Sequence, residues 1–345
     1  MSLFLLTIYC FTILFSIATR RGKIGFYLCF LVAWLLIAGN YDNNDYGQYV
    51  LRYDAGLEVL VDIGFSILCE FFKNLGFDYQ TFKGFISFIC LLMIFKTIKK
   101  MSWSPSLGAA FFLIFPFIID VTQFRNFVSY SVVFVAIPYL FENDRRSLIK
   151  YIAIILVAST IHTVSVFYLL FLLSKIKIKN MHVIIGVIAI GVAKETFKMF
   201  FANKIGTDKL DFLEKPSLIG AVFGSFVVVM NYILIRYVHG KKRYDLSSAK
   251  TMMVKFCSMN TWVYCNLMFV FIIPFLFDNG NYSRVYRNVA VLNMIFIANA
   301  YYIRKSIRLL LLTTYYAYFV ISTYLSSSYF QDVLYPVFTY NTFAL

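Results

Sequence analysis

Two sets of residues in this chain have types and positions suited to transferring a group from a negatively charged leaving group. The first is a set of arginines at the starts of apolar segments. Arg125 stands in Asp120-Val-Thr-Gln123-Phe-Arg125-Asn126, at the junction of two strongly apolar stretches. A guanidinium is costly there unless it is paired or bound to an anion, and its fork takes phosphate oxygens in bidentate fashion. Arg284 and Arg287 follow Asn281, Tyr282 and Ser283; three apart, they share neighbouring positions on one helix face. Together the three arginines suffice to hold a diphosphate and offset the charge that develops as it leaves. An internal Arg125–Asp120 ion pair, or a headgroup-binding or snorkelling role for Arg284 and Arg287, remains open at this level.

The second set supplies proton acceptors and sugar-contacting groups. Asp42, Asp45 and Glu58 lie in one polar stretch, and His162 interrupts an apolar run at Ser159-Thr-Ile-His162-Thr163. Tyr46 and Tyr49, with Gln123 and Tyr282 beside the arginines, offer the aromatic faces and hydrogen bonds that sugar hydroxyls require. Asp45 and Tyr49 are four apart, so a helix begun at Asp45 places them on one side. No metal site is expected. The six cysteines lie singly, and no paired histidine motif accompanies them. P-loop, GxGxxG and GxSxG patterns do not occur either.

The elements that must position these residues are membrane helices. The 345-residue chain is 61% hydrophobic and only 14% charged, more apolar surface than a soluble fold of this length hides in one core. The expected fold class is all-α: a polytopic transmembrane helix bundle of about 12 spans, at roughly 20 residues each, forming one domain over residues 1–345. The spans are expected at 2–18, 24–40, 79–95, 105–120, 124–141, 181–200, 218–238, 252–277, 286–303 and 309–326. A short pair within Ser147–Leu173 turns near Ser159 to His162, and completes the count.

The net charge of +15 reflects topology rather than nucleic-acid binding, because the basic residues fall in short clusters between the spans. Those around Arg20, Lys99, Arg145, Lys177, Lys242 and Arg304 are expected to be cytoplasmic. The alternating stretches, 41–78, 120–125, 203–216 and 278–287, are then external and carry the candidate residues other than His162, whose turn is expected at or near the same face. Within 41–78, Ala55–Leu75 reads as one amphipathic interfacial helix, with Leu57, Leu60, Val61, Phe65, Leu68, Phe71 and Phe72 at helical spacing. Glu58, Asp62 and Glu70 fall away from that stripe, as solvated carboxylates do.

The ordered set Asp42-Asn-Asn-Asp45-Tyr46-Gly-Gln-Tyr49, Glu58, Gln123-Phe-Arg125-Asn126, Ser159-Thr-Ile-His162-Thr163 and Tyr282-Ser-Arg284-Val-Tyr-Arg287 resembles the EpsG family of Wzy-type polysaccharide polymerases. The resemblance implies a bacterial inner-membrane enzyme that joins oligosaccharide repeat units carried on undecaprenyl diphosphate, extending an O-antigen, capsule or exopolysaccharide on the outer face. It implies a lipid-linked donor and acceptor, surrounding lipid, a chain-length regulator as a partner, and no cofactor. Arg125, Arg284 and Arg287 then hold the diphosphate, and His162 or one of Asp42, Asp45 and Glu58 takes the hydroxyl proton. Two alternatives are an O-antigen ligase, differing only in acceptor, and a lipid-linked oligosaccharide flippase. A flippase would place charge deep in its spans, whereas these candidates crowd one face.

Overall fold

The computed structural model describes residues 2–58, 62–176, 182–183, 185–193, 218–240, 252–258, 260–278, 280–304, 308, 312–313, 316 and 330–343. Its regular elements are helices. In chain order the first nine are α1 (Leu3–Ala18), α2 (Ile24–Gly39), α3 (Tyr46–Ala55), α4 (Ile63–Asn74), α5 (Tyr79–Met101), α6 (Pro105–Phe112), α7 (Ile118–Thr122), α8 (Phe124–Ala136) and α9 (Arg145–Ile161). Helix starts follow short polar residues. Ser2, Asp78, Ser104 and Asp144 each accept a hydrogen bond from the backbone three residues on, satisfying donors that a first turn leaves unpaired.

Among the described residues four helical stretches are long and apolar enough to cross a membrane: Tyr79–Met101, Pro105–Thr122, Phe124–Phe141 and Leu218–Gly240. Leu3–Ala18, Ile24–Gly39, Thr163–Lys175, Thr261–Leu276 and Ala290–Tyr301 are shorter apolar helices along expected spans. The chain is therefore an all-α membrane protein. The span expected at 309–326 falls largely outside the described residues and that at 181–200 is described only over 182–183 and 185–193, so the four long helices do not by themselves establish twelve crossings.

The described parts of the basic loops meet at one end of the bundle. Ser104 and Ser106 donate to the carbonyls of Arg20 and Gly22, Lys175 Nζ donates to the Glu142 carbonyl at 2.9 Å, and Lys255 pairs with Glu142. The opposite end gathers the C-terminus of α2, the N-terminus of α5, the α7–α8 junction and the break after α9. It also receives the tail: Tyr41 N donates to Tyr340 O at 3.0 Å, Thr342 N to Gly39 O at 2.9 Å, and Ser2 N to Phe338 O at 2.9 Å.

The expected single helix over Ala55–Leu75 is corrected to two helices. α3 ends at Ala55, Gly56 takes φ +52°, and Asp62 adopts the left-handed conformation (φ 56°, ψ 55°) before α4 begins at Ile63. A left-handed residue cannot continue a right-handed helix, so of the apolar stripe Phe65, Leu68, Phe71 and Phe72 lie on α4, Leu57 lies in the turn Gly56–Glu58, and Leu60 and Val61 fall outside the described residues. α4 packs against the C-terminal end of α9, and Gly64 makes this approach possible, since a Cβ there would lie 2.3 Å from Thr160 Oγ1.

Candidate functional site

Four buried polar ties fix the elements that carry the candidate residues. Ser129 on α8 donates to the Ala158 carbonyl (2.7 Å) and meets Ser165 Oγ at 2.6 Å, bracketing the α9 break. Asn126 and Asn288 exchange amide hydrogen bonds of 3.0 and 3.1 Å. Tyr168 Oη donates to the Val285 carbonyl at 2.7 Å. These ties hold Arg125, His162 and the short helix Arg284–Asn288 at one end of the bundle. A buried amide or hydroxyl without a partner is costly, so each tie also specifies register.

At the α9 break the chain goes from Ile161 through an extended His162 (φ −148°, ψ 116°) into the tight helix Thr163–Lys175. Asp62 sits against this break and is almost fully buried. One carboxylate oxygen, Oδ1, accepts from Thr163 N (2.9 Å) and Thr163 Oγ1 (2.6 Å). The other, Oδ2, lies 2.9 Å from Arg125 Nη1 and 3.6 Å from His162 Nδ1. Burial pushes this carboxyl up, but His162, Arg125 and Thr163 outweigh it and hold the group well below the ordinary carboxylate range. The reading of Asp62 as solvated on the membrane surface is thus corrected: the left-handed turn directs it inward, into an ion pair.

Arg125 consequently pairs with Asp62 and not with Asp120, which is fully buried and accepts from Tyr130 Oη. Arg287 is buried and donates through Nη2 to Gln123 Oε1, so Gln123 orients an arginine. Burial, then repulsion from Arg287, lowers the Arg284 pKa to about 10, with Tyr49 and Asp45 acting in the other direction. Arg52, which the sequence reading did not single out, places its guanidinium 5.7 Å from the Phe65 ring and within electrostatic reach of Arg125 and Asp62. Arg52, Arg125, Arg284 and Arg287 outnumber the nearby carboxylates Asp45, Asp62 and Asp120. The Nε atoms of Arg125 and Arg287 are buried without a hydrogen-bond partner among the described residues, an arrangement that suits an anionic ligand.

Asp45 precedes α3 and Tyr49 lies one turn along it, with Tyr49 N donating to Asp45 O at 3.1 Å. The expected alignment of the pair is met, and both lie in the field of Arg125 and Arg284. Burial raises Asp45 above its ordinary value against the pull of Arg284 and Arg125; burial likewise raises the Tyr49 phenol. Burial lowers His162, and Asp62 only partly opposes it because Arg125 and Arg284 repel a second positive charge. Its imidazole is therefore neutral at pH 7, with both ring nitrogens buried and without a hydrogen-bond partner among the described residues.

A model described as the EpsG family matches residues 23–342. The chain belongs to the EpsG family. Neither a curated protein nor a solved structure matches it. The match covers every candidate residue of this EpsG chain and agrees with the likeness read from its motifs.

Not every candidate reaches the cluster. Asp42 and Glu58 are exposed, and no described contact links either to the arginines. Tyr46 donates to Gln80 Oε1 at 2.9 Å and packs against Tyr79 at 5.3 Å, placing it in the packing between α3 and α5. The Tyr282 ring packs on Phe275 and Phe167, at 5.2 and 5.9 Å. Among the described residues no group of three or more His, Cys, Asp or Glu side chains forms a metal cage.

Proposed function

We propose that this EpsG protein is a polysaccharide polymerase that transfers a growing glycan from its lipid diphosphate to a hydroxyl of an incoming lipid-linked repeat unit. The observation that carries this reading is the convergence of Arg125, Arg284 and Arg287 beside a neutral imidazole. Such a site holds a polyanion and accepts a proton.

In this mechanism the acceptor hydroxyl oxygen attacks the anomeric carbon of the donor sugar. The bond from that carbon to the diphosphate oxygen breaks, and its electron pair leaves on the lipid diphosphate. His162 Nε2 takes the hydroxyl proton and later returns it to water. The arginines match the charge building on the leaving oxygen, where one well-placed donor is worth about 100-fold to 1,000-fold in rate. Proton acceptance adds roughly 100-fold to 10,000-fold. Asp45, raised by burial, stands on the same side and supports Tyr49 at the sugar. No nucleotide enters the reaction, because the activated bond arrives on the lipid.

In an inner-membrane setting the positive-inside rule places the basic loops in the cytoplasm and the arginine-rich end outside. Lipid-linked units delivered to the outer leaflet are then the substrate. The test is deletion of the gene followed by gel analysis of surface glycans. Single capped repeat units are the expected result; complete absence of surface repeats would indicate a ligase or flippase instead.

A further inference from the structure

Asp62 lies outside the set of groups just assigned to the chemistry, yet it is the node that joins them. It is the one non-glycine residue with positive φ among the described residues, a conformation that an aspartate adopts at some local cost. That turn carries its carboxylate onto the exposed end of α9, where each oxygen has a distinct set of partners. Oδ1 is occupied by Thr163 N and Oγ1. Oδ2 faces Arg125 Nη1 at 2.9 Å and His162 Nδ1 at 3.6 Å.

We propose that Asp62 is a positioning residue that fixes the proton of His162 on Nδ1, so that Nε2 presents its lone pair to the acceptor hydroxyl, while the same carboxylate anchors Arg125. This rests on the polymerase reading and adds to it the residue that makes one nitrogen of His162 the base. A carboxylate offers only lone pairs, so the ring nitrogen turned toward it is the one that carries hydrogen. Both ring nitrogens are buried without a hydrogen-bond partner among the described residues, and Nδ1 is the one that has the Asp62 carboxylate beside it, at 3.6 Å. Oδ2 is shared between a guanidinium and an imidazole, so displacement of Arg125 onto a bound diphosphate strengthens the Asp62–His162 contact. Loading the leaving group and setting the base are thereby linked through one atom.

The other charged groups around His162 act against its protonation. Arg125 on α8 and Arg284 on the helix Arg284–Asn288 both repel a charged ring, and Asp62 is the carboxylate in contact with it. Arg52 on α3 adds positive charge around Asp62. Removing the Asp62 charge leaves the imidazole neutral and frees its tautomer.

The discriminating substitution is Asp62→Asn. Asparagine tolerates the left-handed backbone as well as aspartate does, and its carbonyl still accepts from Thr163. Its amide NH2, now facing His162, donates to Nδ1 and moves the ring proton to Nε2, which abolishes the base. The chain has three histidines, so 15N-histidine spectra of the purified protein, with His162→Gln to assign the signals, report the tautomer directly. The wild type is expected to show an unprotonated Nε2 at neutral pH. Asp62→Asn is expected to exchange it for an unprotonated Nδ1 and to lose about 100-fold or more of its polymerisation rate, within the general-base contribution, and Asp62→Glu to restore part of both. A wild type with hydrogen on Nε2, which is read without any variant, overturns the proposal. So does Asp62→Asn with unchanged tautomer or wild-type rate. If the variants of Asp62 behave as wild type while His162→Ala is inactive, the positioning role alone fails; if wild-type protein makes no polymer, the polymerase reading fails.

Discussion

Arg125 shares the Asp62 carboxylate with His162 and Thr163, so a change at position 125 is felt by the anion clamp and by the proton acceptor together. Lysine keeps the charge but cannot reproduce the fork. Arg125→Lys and Arg287→Lys are each expected to lower the polymerisation rate by about 100-fold or more, as loss of an oriented donor does; full-length polymer from both variants in a strain lacking the native gene would remove the clamp role. The acid side of the pH profile follows from His162. Its pKa lies below the ordinary 6.5, so the base stays deprotonated at neutral pH and the rate falls only as pH drops through that lowered value. Polymerisation measured from pH 5 to 8 is expected to have its acidic midpoint below 6.5; a midpoint clearly above it would show that the imidazole is not the acceptor. Arg125, His162, Arg284 and Arg287 were legible in the sequence because a charged side chain at the edge of an apolar segment is conspicuous. Asp62 and Arg52 were not, since a polar stretch full of carboxylates and tyrosines gives each of them an ordinary solvated explanation.

The reason those two were hidden is found at the scale of the helices. A periodic apolar stripe over Ala55–Leu75 shows amphipathicity but does not reveal that Gly56 and Asp62 leave the right-handed region, and only that break turns Asp62 inward. α4 then depends on its glycine contact with α9. A Cβ at Gly64 would meet Thr160 Oγ1 at 2.3 Å and the Thr160 carbonyl carbon at 2.9 Å, and backbone cannot rotate away as a side-chain tip can. Gly64→Ala is therefore expected to destabilise the protein by about 1–3 kcal/mol, the usual cost of overpacking, and to reduce activity by shifting Asp62 from His162. A Cβ added at Gly47 on α3 would meet nothing within 4 Å, so Gly47→Ala is expected to stay within about 1 kcal/mol of the wild type. Thermal unfolding of the two variants in detergent checks the contrast. The α9 break was more visible, because Ser147–Leu173 has basic clusters at both ends and must turn; the turn falls at His162, within the expected four residues.

The two ends of the bundle carry different polar groups. Basic loops collect at one end, and the arginine–aspartate–histidine cluster sits at the other, where the helix ends are held by buried amides. Asn40, fully buried at the end of α2, donates to the carbonyls of Pro336 and Tyr340 at 3.2 and 3.0 Å, and Lys83 Nζ donates to its carbonyl at 2.6 Å. Asn341 reaches back to Leu36 O at 3.1 Å. These contacts tie the C-terminal segment to the root of the loop that carries Asp45. Asn341→Ala is expected to cost about 1 kcal/mol by removing the hydrogen bonds that Asn341 makes with Leu36 O and Phe343 N, seen as a lower melting temperature in detergent and a weaker polymerisation rate. Composition and charge pattern were enough to read an all-α membrane bundle. The docking of the tail was beyond them, because Val333–Leu345 is apolar enough to suit either lipid or a helix neighbour, and only the amide pairing with Asn40 decides between the two. The proposed glycan transfer from a lipid diphosphate takes place at the arginine-rich end. The most direct measurement is polymer formation by proteoliposomes supplied with lipid-diphosphate-linked repeat units alone: a glycan ladder from the wild type that falls about 100-fold or more in Arg284→Gln is predicted, and an absent wild-type ladder, or an equal ladder from the variant, would contradict it.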